Sequence, residues 1–274
     1  MTEWLQSWFK EIFDNGAFAA VEDVLKLDPS QELGWVWTAV ETIYNNVMVP
    51  LALGLMVIWF LVAFIKTAAS EQVTFEQLFM LFVKLIAAKF LIDNGLQILA
   101  DFWSLGISLV DNIKGAIPPP DDPISFSYKS LWQDLTGVEW GTSLNLMIAL
   151  GVMCQLLIPW LVSKVLIACV YFICYSRLIE MFVRMLAAPI ALSDFFAEGL
   201  HGAGWRFLKN FLAICLQGVL IGAIAQLYPL IMAELLTGSG SFWTVTIKYI
   251  AFSFSAVALM FKSLSLSKEL VGTS

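Results

Sequence analysis

The sequence predicts an all-α, polytopic membrane protein of about six transmembrane helices, alternatively five, with an amphipathic interfacial helix at the N-terminus. Three observations carry that expectation. Hydrophobic residues make up 59% of the 274 residues, against roughly 45–50% in ordinary globular chains even with glycine counted. Charged residues are only 14%, where about 25% is usual. Mean hydropathy is +0.81, and 21 Phe with 11 Trp add a large aromatic load. A water-soluble chain of this length could not enclose so much apolar surface and still solvate its exterior.

The net charge of −7 excludes a polybasic nucleic-acid or lipid-binding module for the chain as a whole. Cys154, Cys169, Cys174 and Cys215 form no C-x-x-C pair and lack zinc spacing, so they read as buried free thiols. His201 is the single histidine, which removes most metal-ligand and Ser-His constellations. No P-loop, H-E-x-x-H or G-x-S-x-G element is present, so neither an enzyme nor a cofactor is expected.

Residues 1–41 form the N-terminal region. Trp4, Leu5, Trp8, Phe9, Ile12 and Phe13 share one helical face, with Glu3, Lys10, Glu11 and Asp14 opposite. Such a stripe suits the bilayer interface, with Trp4 and Trp8 as anchors; packing against a partner protein is the other reading. The acidic residues of 1–28, without a basic start or an apolar run, do not read as a signal peptide.

Residues 42–110 hold the first span and a long second helix. Thr42–Ile65 is uncharged over 24 residues, about 36 Å of helix against a hydrocarbon core of about 30 Å; Pro50 is placed to kink it. Phe75–Leu109 is interrupted by Lys84, Lys89, Asp93 and Asp101, with Gly95 and Gly106 as hinge points. Residues 111–141 read as a Pro-rich extramembrane loop ending in two interface anchors, Trp132 and Trp140.

Residues 142–274 read as a helical cluster with a short tail. Ser143–Ser163 and Val165–Leu192 are expected to form a hairpin, unless they merge into one kinked helix; Asn210–Ala233 and Phe242–Phe261 complete the spans. If six helices cross, the positive-inside rule puts both termini in the cytoplasm. Gly218 and Gly222 mark a close helix approach.

Ionised groups at membrane depth are costly and are functional suspects. Two clusters qualify. Lys84, Lys89 and Asp93 lie on the long second helix; Arg177, Glu180 and Arg184 follow i, i+3, i+7 spacing, so Glu180 can pair with either arginine. Each cluster should meet another helix, a subunit or water. Internal ion pairs locking the helices, and a hydrated path or subunit seam, are the two readings of both.

The segments RLIEMFVRMLAAPIAL at Arg177–Leu192 and RFLKNFLAICLQGVLI at Arg206–Ile221, with the opening MTEWLQSWFKEIF, resemble the TrbL-like polytopic inner-membrane subunits of type IV secretion (conjugal transfer) machines, especially those of Gram-positive mobile elements. The family's arginine-bearing helix followed by Ala-Pro-Ile matches Arg177, Arg184, Ala188, Pro189 and Ile190. The resemblance implies a multi-pass, non-catalytic channel or scaffold subunit of the cytoplasmic membrane. It further implies assembly with copies of itself and with other secretion subunits, among them ATPases and a coupling protein, and translocated single-stranded DNA as cargo. It also implies that the loop after the second helix lies outside the cell, against the charge-based orientation. Two alternatives rest on the residues alone: a small-solute or ion transporter with a buried charged site, and a membrane anchor that organises partner proteins.

Overall fold

A computed structural model describes residues 2–13, 21, 24–28, 32–69, 75–116, 128–194, 202–236 and 241–272. The proline run, His201 and residues 237–240 lie outside them. Among the described residues there is no strand. The principal helices are α1 (Thr2–Phe13), α2 (Gly34–Ala68), α3 (Phe75–Ala116), α4 (Tyr128–Thr136), α5 (Leu146–Ser193), α6 (Ala203–Leu236) and α7 (Phe242–Val271). Four of the described helices are long and apolar enough to cross a bilayer: α2, α5, α6 up to Met232, and α7. The protein is a polytopic helical membrane protein.

The chain divides into two compact units. The first comprises Met1–Lys26, Val110–Tyr175 and Leu220–Ser263. Its core gathers Leu5, Phe9 and Ile12 of α1 with Trp132, Leu156, Val170, Tyr228 and Phe242. The Phe9 ring meets Trp132 edge-on at 5.5 Å, and Trp8 meets Trp160 at 5.7 Å. Glu11 of α1 accepts a 2.6 Å ion pair from Lys164 of α5. The apolar stripe of α1 packs on the chain's own core through Leu5, Phe9 and Ile12. Trp4 keeps an exposed ring, at 58%.

The hairpin expected around residue 164 is absent, since α5 runs unbroken for 48 residues, about 72 Å of helix path. Val162-Ser163-Lys164-Val165 contains no turn-forming glycine, proline or asparagine. Lys164 does not end the helix; it pairs with Glu11, and the Trp160 ring lies 5.9 Å away. Among the described residues four helices are candidate spans, where six, alternatively five, were expected. The expected 111–141 loop is also shorter: α3 continues to Ala116 and α4 begins at Tyr128. At the other end, the expected tail is helical to Val271.

The second unit comprises Leu27–Leu109, Ser176–Val219 and Leu264–Ser274. Tyr44, Ala88, Ile92, Leu99, Trp103, Met181, Met185 and Phe211 lie in its core. Within α2, Tyr44–Met48 forms a π-turn just before Pro50. Proline supplies no N–H to the carbonyl four residues earlier and collides with it in a regular helix; the widened turn relieves both problems. The Tyr44 hydroxyl donates 2.8 Å to the Ile92 carbonyl oxygen. α3 passes through Gly95 and Gly106 without a break.

One exposed row of α3 changes character along its length. Phe79, Val83, Ile86 and Phe90 present apolar side chains. From the next turn the same row carries Asp93, Gln97, Asp101, Ser104 and Ser108, all exposed. Spacing of three and four residues keeps this row on one face. The charges and amides of its second half distinguish α3 from the four apolar helices.

Candidate functional site

The second unit brings one of the two expected charge clusters partly together and separates its members by environment. Arg177 is 4% exposed. Its Nε–H donates 3.1 Å to the Ile214 carbonyl oxygen, and its guanidinium carbon lies 4.0 Å from the centroid of the Trp103 ring. An indole face attracts a cation through its quadrupole, by about 2 kcal/mol or more when water is excluded. Gly218 makes the arrangement sterically possible: a Cβ there would coincide with the guanidinium. The Gly218–Gly222 pair thus has two separate uses, since Gly222 in the first unit lies under the Val110 side chain.

Glu180 pairs with Arg184, whose Nε and Nη2 both donate to Oε1 at 3.1 and 2.6 Å. Their side chains are 32% and 24% exposed. Lys89 and Asp93 form an i, i+4 pair at 2.5 Å, with side chains 58% and 39% exposed. An exposed pair of this kind contributes only about 0.3–0.5 kcal/mol. Lys84 is exposed as well. Among the described residues the ion pair that Lys84, Lys89 and Asp93 offer is this one, within α3 itself.

The polar half of the α3 row opens into a cleft of about 220 Å³ lined by Asp28, Trp37, Gln97, Asp101, Trp103 and Ser104. Gln97 Nε2 donates 3.0 Å to Asp101 Oδ1. Trp103 Nε1 donates 3.4 Å to the Leu27 carbonyl oxygen. Trp103 is therefore shared: one face holds Arg177 and its edge closes the cleft. Among the described residues no three His, Cys, Asp or Glu side chains could together hold a metal ion.

Of the expected anchors, Trp4 is exposed and Trp8 and Trp140 are half-buried. Trp132 differs. It is fully buried, against Phe9 and against Trp140 at 5.4 Å, so its ring packs on protein. Trp103, Ile214, Tyr44 and the purpose of Gly218 were missed in the sequence. A G-x-x-x-G spacing signalled a close approach at Gly218, but not that an arginine would fill it.

A family model described as TrbL/VirB6 plasmid conjugal transfer like protein matches residues 15–189, about two-thirds of the chain. The chain belongs to this family. The match takes in Arg177, Glu180, Arg184 and the Ala-Pro that follows; the second resembling segment, Arg206–Ile221, lies beyond it. No protein of curated function and no solved structure matches the chain significantly. The TrbL/VirB6-like protein is a membrane subunit of a conjugal transfer system.

Proposed function

We propose that this TrbL/VirB6-like protein is a self-assembling, non-catalytic channel or scaffold subunit of the cytoplasmic membrane. It surrounds, with copies of itself, a hydrated passage or subunit seam used in DNA transfer. One observation carries the reading: the exposed row of α3 becomes polar from Asp93 to Ser108, about 23 Å of helix path. Carboxylates, amides and hydroxyls so exposed on a membrane protein demand water or another protein, because acyl chains satisfy none of them.

The charge arrangement fits a scaffold near a polyanion better than a selective binding site. Lys89 and Asp93 cancel, which leaves Asp101 as the strip's net charge, so the strip offers single-stranded DNA no positive field. Energy for transfer comes from partner ATPases, and a coupling protein delivers the DNA. Arg177 plays a structural part in this reading, because its guanidinium is enclosed between α3 and α6.

The test replaces the stripe and leaves the buried face alone. A Gln97→Leu/Asp101→Leu/Ser104→Leu variant should lower conjugal transfer by an order of magnitude or more at unchanged membrane level. Single cysteines on the same stripe should give disulfide-linked copies of the chain if it is a seam. Undiminished transfer by the triple variant refutes the reading.

A further inference from the structure

Phe79, Val83, Ile86 and Phe90 leave the first half of the α3 row apolar and uncovered, with Ile86 69% exposed. Within it lies an open groove of about 540 Å³ lined by Val83, Ile86, Ala87, Phe90 and Leu91. Lys84 borders the groove, sharing a helix side with Ala87 and Leu91 at i+3 and i+7. Among the described residues Lys84 forms no ion pair, whereas Lys89 is held by Asp93.

We propose that this groove and Lys84 form a binding site for an anionic phospholipid, one acyl chain lying along Val83–Leu91 and the headgroup phosphate meeting the Lys84 ammonium. The argument is charge complementarity joined to shape. An unpaired ammonium beside exposed Phe and Ile needs an anion at the boundary of an apolar phase, and a phospholipid carries both parts in one molecule. Helical side chains lean toward the helix N-terminus, and a lysine stem extends its charge along apolar surface to polar surroundings. Lys84 therefore reaches toward the Phe75 end of α3, where headgroups lie if the apolar half of the helix is in the hydrocarbon. A second copy of this chain is the poorer occupant. Of the acids it would bring from its own apolar stretches, Asp93 and Glu180 are already paired with Lys89 and Arg184, and Asp101 accepts from Gln97.

The experiment is lipid retention by the full-length protein in detergent. The protein is exposed to equal amounts of dioleoylphosphatidylglycerol and dioleoylphosphatidylcholine and then read by native mass spectrometry. The wild type should keep phosphatidylglycerol in preference. Lys84→Gln, an exposed change, should weaken that retention about fivefold, the effect of one lysine near an anionic surface. Lys262→Gln, an exposed lysine outside the groove, should leave it unchanged. Dihexanoylphosphatidylglycerol, with the same headgroup and short chains, should be held far less well. Equal retention of the two dioleoyl lipids overturns the proposal, as does a preference that survives Lys84→Gln. The readout is lipid binding alone, so its outcome is independent of the role proposed in DNA transfer.

Discussion

Gly218→Ala is the substitution that most sharply probes the buried arginine. The new methyl group would occupy the space of the Arg177 guanidinium, which is fixed by Ile214 at 3.1 Å and by the Trp103 ring at 4.0 Å. If the guanidinium moves away, it forfeits a cation–π contact of about 2 kcal/mol and a charged hydrogen bond of about 1.5–3 kcal/mol. If it stays, α6 is pushed outward, and overpacking of this kind costs about 1–3 kcal/mol. The smaller cost decides, and the helix preference of Ala over Gly returns about 1 kcal/mol. The net expectation is a destabilisation of up to about 2 kcal/mol, a fall of several degrees in Tm. Thermal unfolding followed by tryptophan fluorescence in detergent measures it. Gly151→Ala is the internal control, because that helical glycine has open space where the Cβ would go; it should leave Tm unchanged or raise it. In an Arg177→Leu background the penalty of Gly218→Ala should shrink, as coupled neighbours require. A Gly218→Ala protein that matches the Gly151→Ala protein in direction and size would refute the reasoning.

Four further substitutions use the same thermal assay. Arg177→Gln should lower stability by about 1–3 kcal/mol, since it takes the guanidinium from a buried carbonyl; Arg184→Gln should cost below about 1 kcal/mol, because its pair with Glu180 is part-exposed. Asp134→Ala should cost about 1 kcal/mol, because Asp134 Oδ2 accepts a 2.5 Å hydrogen bond from the Phe242 N–H at the start of α7. Thr246→Val should be neutral or stabilising by up to about 1 kcal/mol, because the buried Thr246 hydroxyl has no hydrogen-bond partner and valine keeps its shape.

Membrane character was legible because composition sums over the whole chain. The positions where spans end were less so. Lys164 looked like a boundary because an isolated lysine does not stay in hydrocarbon; the acid that permits it to sit within α5 is Glu11, 153 residues away. The amphipathic stripe of α1 was visible, but a stripe does not reveal whether lipid or protein covers it, and Trp132 and Phe242 cover it here. Helical spacing correctly offered Arg184 to Glu180. It could not offer Trp103 and Ile214 to Arg177, since those contacts cross between helices. The α3 row of alternating three- and four-residue steps was present in the letters throughout. Its meaning depended on knowing which face of α3 the core takes.

The central claim is that the exposed row of α3 passes from lipid to water or protein between Phe90 and Asp93. A cysteine scan tests it directly. On a background lacking the four native cysteines, single cysteines at positions 79, 83, 86, 90, 97, 101, 104 and 108 are treated in intact cells with a membrane-impermeant thiol reagent and, in permeabilised cells, with the same reagent. The account predicts a step: little labelling through position 90 under either condition, then strong labelling or copy-to-copy disulfide formation from 97 onward. A flat profile across the row would contradict it.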